Sequence, residues 1–141
     1  SIKAFNIERA ALDWLMTMSL EKMYERFPNL RIASVENGST FLPDLFRKLP
    51  QQKNKLMGWF KEDPLEQFKE HVWINPFWED DPSEVADYMG SDRVIFGSDW
   101  PHIEGMPTPL DYVDELSSFD EHDRKLILHD NVLELNTPRS T

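Results

Sequence analysis

Asp99 and His102, separated by Trp100 and Pro101, are the pair in this sequence best suited to chemistry. A carboxylate and an imidazole that close can share a proton, and either can take one from a reacting group near neutral pH. They follow an apolar run, Val94-Ile95-Phe96, which breaks at Gly97-Ser98. Such a run reads as a buried parallel strand. In α/β proteins ligands and chemistry collect just past the carboxyl ends of strands. The structural alternative is that Asp99 caps the next helix and His102 is a loop histidine bonded to backbone.

Strands and helices must deliver these residues, and the spacing of apolar positions locates them. Ile7, Ala10, Ala11, Trp14, Leu15 and Met18 recur at helical intervals and predict an amphipathic helix with its Met and aromatic residues in the core. Leu30 to Val35 reads as a strand ending in the polar loop Glu36-Asn37-Gly38-Ser39-Thr40. Phe41 to Leu49 has helical spacing, and Pro50 is expected to close it. Leu65, Phe68 and Lys69 suggest one helical turn before a strand over His71 to Asn75. Asp81-Pro82-Ser83-Glu84 is a helix start, with Asp81 as N-cap and Pro82 in the first turn, and Gly90 is the expected stop. Arg93 to Gly97 is the third strand. Ile103 to Pro107 is hinge-like in composition, and two more helices start near Thr108-Pro109 and Asp120. The tail 137–141 is expected to fray. Strands alternating with helices indicate a parallel sheet with right-handed crossovers.

Composition bounds the function. With 141 residues, 40% hydrophobic, the chain can bury one core, and a single domain over 1–141 is expected. A net charge of −11 argues against nucleic acid or an anionic membrane surface as partner. No apolar run approaches the roughly 20 residues that span a bilayer, and no secretory leader opens the chain. Zero cysteines exclude disulfides, thiolate nucleophiles and Cys-based zinc sites, and fit a cytoplasmic location. The first residue is Ser1 rather than Met, as in a fragment or a processed chain.

The string Val94 to His102, an apolar strand followed by Gly-Ser-Asp, an aromatic, Pro and His, resembles the last barrel strand of the metal-dependent hydrolases related to amidohydrolases. That group includes aminocarboxymuconate semialdehyde decarboxylase. Arg26 to Arg31 resembles the lead-in to the sixth barrel strand, Trp73 to Phe77 with Glu79-Asp80-Asp81 the seventh, and Asp123 to Asn131 the final helix. The resemblance implies an α/β fold that is the C-terminal part of a (β/α)8 TIM barrel, about three parallel strands alternating with helices. A whole barrel needs about 250 residues.

For the site, the resemblance implies that Asp99 is metal-adjacent and handles a proton, with His102 orienting it or contacting substrate. Glu36 stands where many members carry a histidine, as a metal ligand, a hydrogen-bond acceptor behind one, or a simple loop acid. The cofactor implied is a divalent metal, zinc first, with most ligands outside this chain, because no His-x-His occurs in it. Trp100 and Trp78 could line a pocket for a planar small-molecule substrate; core packing is the other use for them. The expected activity is hydrolysis of an amide, ester or lactone, or non-oxidative decarboxylation of a small organic acid. The competing expectation is a freestanding, catalytically inactive half-barrel that forms a homo-oligomer or binds a partner to cover open sheet edges. His71, His122 and His129 are read as structural or solvated.

Overall fold

A computed structural model of the chain describes residues 2–138. Helix α1 (Ile2–Leu20) and the single turn α2 (Met23–Arg26) lead into strand β1 (Ile32–Val35). Helices α3 (Leu42–Lys55) and α4 (Pro64–His71) connect it to strand β2 (Val72–Asn75). Helix α5 (Pro82–Met89) follows, then an irregular stretch carrying Asp99 and His102, and finally α6 (Tyr112–Glu115), α7 (Glu121–Lys125) and α8 (Asn131–Asn136). A π-helical turn, Leu126–Asp130, joins the last two.

β1 and β2 are parallel, in register from Ile32 opposite Val72 to Val35 opposite Asn75. The segment expected as a third parallel strand joins at one point, where Val94 bridges Ile74 and Ile95 N–H donates to Ile74 C=O at 2.9 Å. It goes no further as a ladder because other groups take its backbone. Asn131 Nδ2 donates to Ser91 C=O and Val94 C=O, both at 2.7 Å. Phe96 N–H donates to Ile127 C=O at 3.1 Å. Every buried backbone group must find a partner, and here the partners are side chains and a helical turn instead of a strand.

The core lies between the strands and the helices. Ile32, Val72, Ile74 and Val94 pack against Leu42, Leu45 and Leu49 of α3, Phe68 of α4 and Val85 and Met89 of α5. Phe46 meets Phe68 edge-on at 6.2 Å and Tyr88 at 5.0 Å between ring centres. Because side chains alternate along a strand, Ala33, Val35, Trp73 and Asn75 occupy the opposite face. On that face Arg93 covers the ring of the fully buried Trp73, at 4.7 Å.

Several elements depart from the sequence reading. α3 runs through Pro50 to Lys55 instead of stopping there. A proline removes one helical hydrogen bond, and the helix holds because Leu45 and Leu49 are anchored in the core. α4 has two turns, capped by Asp63, whose Oδ1 accepts from Leu65 N–H at 2.9 Å. On α1, Ala11 and Leu15 are buried, but Trp14, expected in the core, is half exposed. Asp81 caps α5 as expected, accepting from Ser83 N–H at 2.8 Å, and Gly90 ends it with φ of +90°. In the tail, Thr137 is tied to Leu133 C=O through both its N–H and its hydroxyl; residues 139–141 lie outside the described residues.

Candidate functional site

Glu36 is the first residue past β1 and Asp99 closes the irregular third segment, so both stand at the carboxyl end of the parallel array. Both have left-handed backbone, φ of +53° and +54°. Among the described residues Lys22 is the one other non-glycine with positive φ. A non-glycine held there costs about 1 kcal/mol or more, and such strain gathers at functional sites. Two of the three such positions are thus Glu36 and Asp99, both at the carboxyl end of the parallel array.

Local hydrogen bonds hold each acid in place. Glu36 N–H donates to Asn75 Oδ1 at 3.3 Å, while Asn37 Nδ2 donates to Val35 C=O at 3.0 Å. Around Asp99, His102 N–H returns to Asp99 C=O at 2.9 Å and Met106 N–H closes the loop onto Ser98 C=O at 2.7 Å. Gly105 lies flat against Asp99; a Cβ there would be 2.4 Å from the Asp99 carbonyl oxygen. The Trp100–Pro101 peptide is cis. The loop expected as a hinge is thus a tied structure, further pinned by Trp78 Nε1 donating to Glu104 C=O at 2.9 Å.

The Asp99 carboxylate and His102 Nδ1 are 2.7 Å apart, so the pair expected from sequence is formed. Burial pushes the Glu36 carboxyl up to about 7, with Asp99, Glu79 and Asp80 adding repulsion and His102 opposing it. Asp80 lashes two loops together, its Oδ2 accepting from Ser39 Oγ at 2.7 Å and Phe77 N–H at 3.2 Å.

The structure bonds His102 to Asp99 and places Glu36 within the field of both, and it treats the two tryptophans differently. Trp78 packs against the core and its indole N–H is taken by Glu104, so it shapes the loop. Trp100 is 64% exposed beside Asp99, with Ile103 fully exposed at the loop tip. His71 is structural, stacked on Tyr24 and bonded to Leu30 C=O at 2.6 Å. Asn75, Asp80 and Gly105 were not singled out from sequence. Asn75 did leave a signal, as the lone polar residue ending the apolar strand Val72-Trp73-Ile74.

An oxygen-donor pair held in mutual repulsion suits a hard or borderline cation. Among the described residues no three His, Cys, Asp or Glu side chains are grouped to hold a metal. Glu36 and Asp99 are two oxygen donors of the type such a cation takes, with no third His, Cys, Asp or Glu grouped with them among the described residues.

Helices alternating with parallel strands, with acids at the strands' carboxyl ends, are the pattern of a β/α barrel's ligand-binding end. A family model described as Amidohydrolase matches residues 5–135. The chain belongs to the amidohydrolase family. It is similar to the crystal structure of an amidohydrolase from Mycobacterium avium subsp. paratuberculosis K-10, at 41% identity and a TM-score of 0.88, over 91% of this chain and 33% of that one. The chain thus spans about a third of the length of that relative, a partial TIM barrel. No curated protein matches it. No helix among the described residues is long and apolar enough to cross a membrane.

Proposed function

We propose that this chain is the C-terminal part of a metal-dependent hydrolase or non-oxidative decarboxylase acting on a small organic acid, amide or lactone. The observation that carries the reading is the strained placement of Glu36 and Asp99 at the strand ends, with His102 bonded to Asp99. Glu36 and Asp99 would hold a divalent cation, zinc being the expected one. The chemistry that cation supplies when bound is Lewis-acid polarisation of a carbonyl or carboxylate.

The chain's own residues supply proton handling. The hydrogen bond between the Asp99 carboxylate and His102 Nδ1 fixes the ring so that Nε2 points away from the acid. Asp99 Oδ would accept the proton of the attacking group and become the neutral acid, with His102 holding the carboxyl in place through Nδ1. Trp100 and Ile103 present apolar surface beside these groups and would cover the organic part of a small substrate.

The test is activity of the intact protein toward small amides, esters, lactones and unsaturated carboxylic acids, with and without a chelator. Chelation should abolish turnover, and Asp99→Asn should lower kcat by about 10³-fold with little change in melting temperature. Turnover that survives both changes overturns the reading.

One observation favours an oligomeric module instead. The outer edge of β1 pairs with no strand among the described residues, and Val35 on it is 52% exposed. Sedimentation of the intact protein separates the two, because a monomer with activity leaves this edge covered from within.

A further inference from the structure

Asn75 closes β2, is 2% exposed, and spends its amide on neighbouring segments rather than on its own strand. Its Oδ1 accepts from Glu36 N–H at 3.3 Å. Its Nδ2 donates to Ile95 C=O at 3.3 Å and to Pro76 C=O at 3.2 Å. The orientation of the amide follows from its partners, since a peptide N–H can only donate and a carbonyl can only accept. Gly97 is pressed against the same amide; a Cβ at Gly97 would be 2.6 Å from Nδ2. One buried side chain therefore touches the first residue past β1, the end of β2, and the segment that reaches Asp99 two residues later.

We infer that Asn75 is the positioning residue that sets the separation of Glu36 and Asp99, by clamping the ends of three parallel segments through one amide. The inference rests on the proposed function for the meaning of that separation. No other side chain of this size does the same. Asp would lack the two donors, Leu would leave Glu36 N–H and Ile95 C=O without partners, and Gln would push a methylene against Gly97. Without the clamp, the one bond reaching the Glu36 amide from a neighbouring strand is lost, and the left-handed backbone of Glu36 has less to hold it. Residues behind a metal ligand that fix its orientation commonly change affinity by about 10- to 100-fold when removed.

The experiment has two readouts in the intact protein. The first is amide hydrogen exchange of the unmutated protein, where Glu36 N–H should exchange at least about tenfold more slowly than a free peptide; exchange at the free rate overturns the clamp. The second is Zn²⁺ affinity by competition with a chromophoric chelator, in a cycle of Asn75→Ala and Glu36→Gln. Asn75→Ala should weaken Zn²⁺ about tenfold alone and less than about twofold in the Glu36→Gln background. An unchanged affinity, or the same loss in both backgrounds, makes Asn75 merely structural and overturns the inference. Should Asn75→Ala not fold, Asn75→Ser takes its place, with the same two outcomes. If Glu36→Gln alone leaves Zn²⁺ affinity unchanged, the proposed metal role of Glu36 fails, and the exchange rate of the Glu36 amide still decides the clamp.

Discussion

The imidazole of His102 donates from Nδ1 to the Asp99 carboxylate across 2.7 Å, with 16% of the acid's side chain exposed and 69% of the imidazole's. The half-hidden acid orients a ring whose other face is open. His102→Ala should therefore cost about 10²-fold in kcat/KM. Its melting temperature should stay within about 2 °C of the parent, because an exposed side chain carries little stability. Steady-state kinetics and a thermal melt check both, and unchanged kinetics would remove His102 from the proton path.

Gly105 lets the loop close on Asp99, with no room for a Cβ beside the Asp99 carbonyl. Gly105→Ala should displace the 98–106 loop and lower kcat by at least about tenfold, since small misplacements of reacting groups are costly. Wild-type kinetics in this variant would show that the loop adapts without moving Asp99.

Stability of the metal-free protein should depend on pH through Glu36. Burial, then Asp99, Glu79 and Asp80, raises its carboxyl from 4.5 to about 7. The unfolded chain releases this proton at lower pH than the folded one. Its contribution is thus fully present below pH 4.5 and is lost as pH rises through about 7. Glu8, also raised by burial and by Asp80, acts in the same direction. Urea midpoints at pH 5 and pH 8 should differ more in the parent than in Glu36→Gln. Equal differences would place Glu36 in solvent.

Asn131 is 1% exposed and satisfies the carbonyls of Ser91 and Val94. Asn131→Ala leaves the buried Val94 C=O unpaired and Ser91 C=O with only the 3.4 Å bond from Val94 N–H, and should cost about 1–3 kcal/mol. A denaturant melt measures this, and a loss below about 0.5 kcal/mol would mean that water replaces the amide.

How much was legible beforehand varies with the range of the interaction. The cap at Asp81, the helix start at Asp120 and the glycine stop at Gly90 were readable, because each depends on residues within one turn. The Asp99–His102 pair was readable for the same reason. Helix α3 was misread at Pro50, where anchoring by Leu45 and Leu49 outweighs one lost hydrogen bond. Trp14 was misread because helical spacing gives an apolar stripe but not which neighbour covers it.

The sequence by itself determined the alternation of strands and helices, the acids at the strand ends, and the family resemblance, all of which are written in local pattern. Tertiary structure decided what those acids experience. The third segment joins the sheet at one point because Asn131 and Ile127, more than 30 residues away, take its backbone. Glu36 has its raised carboxyl because folding buries it and faces it with Asp99, Glu79 and Asp80. Asn75 joins Glu36 to the segment before Asp99 only because parallel pairing brings positions 39 and 20 residues apart to one amide. Hydrogen bonds and repulsion fall off over a few ångströms, so no reading of spacing along the chain could find them before the chain had folded.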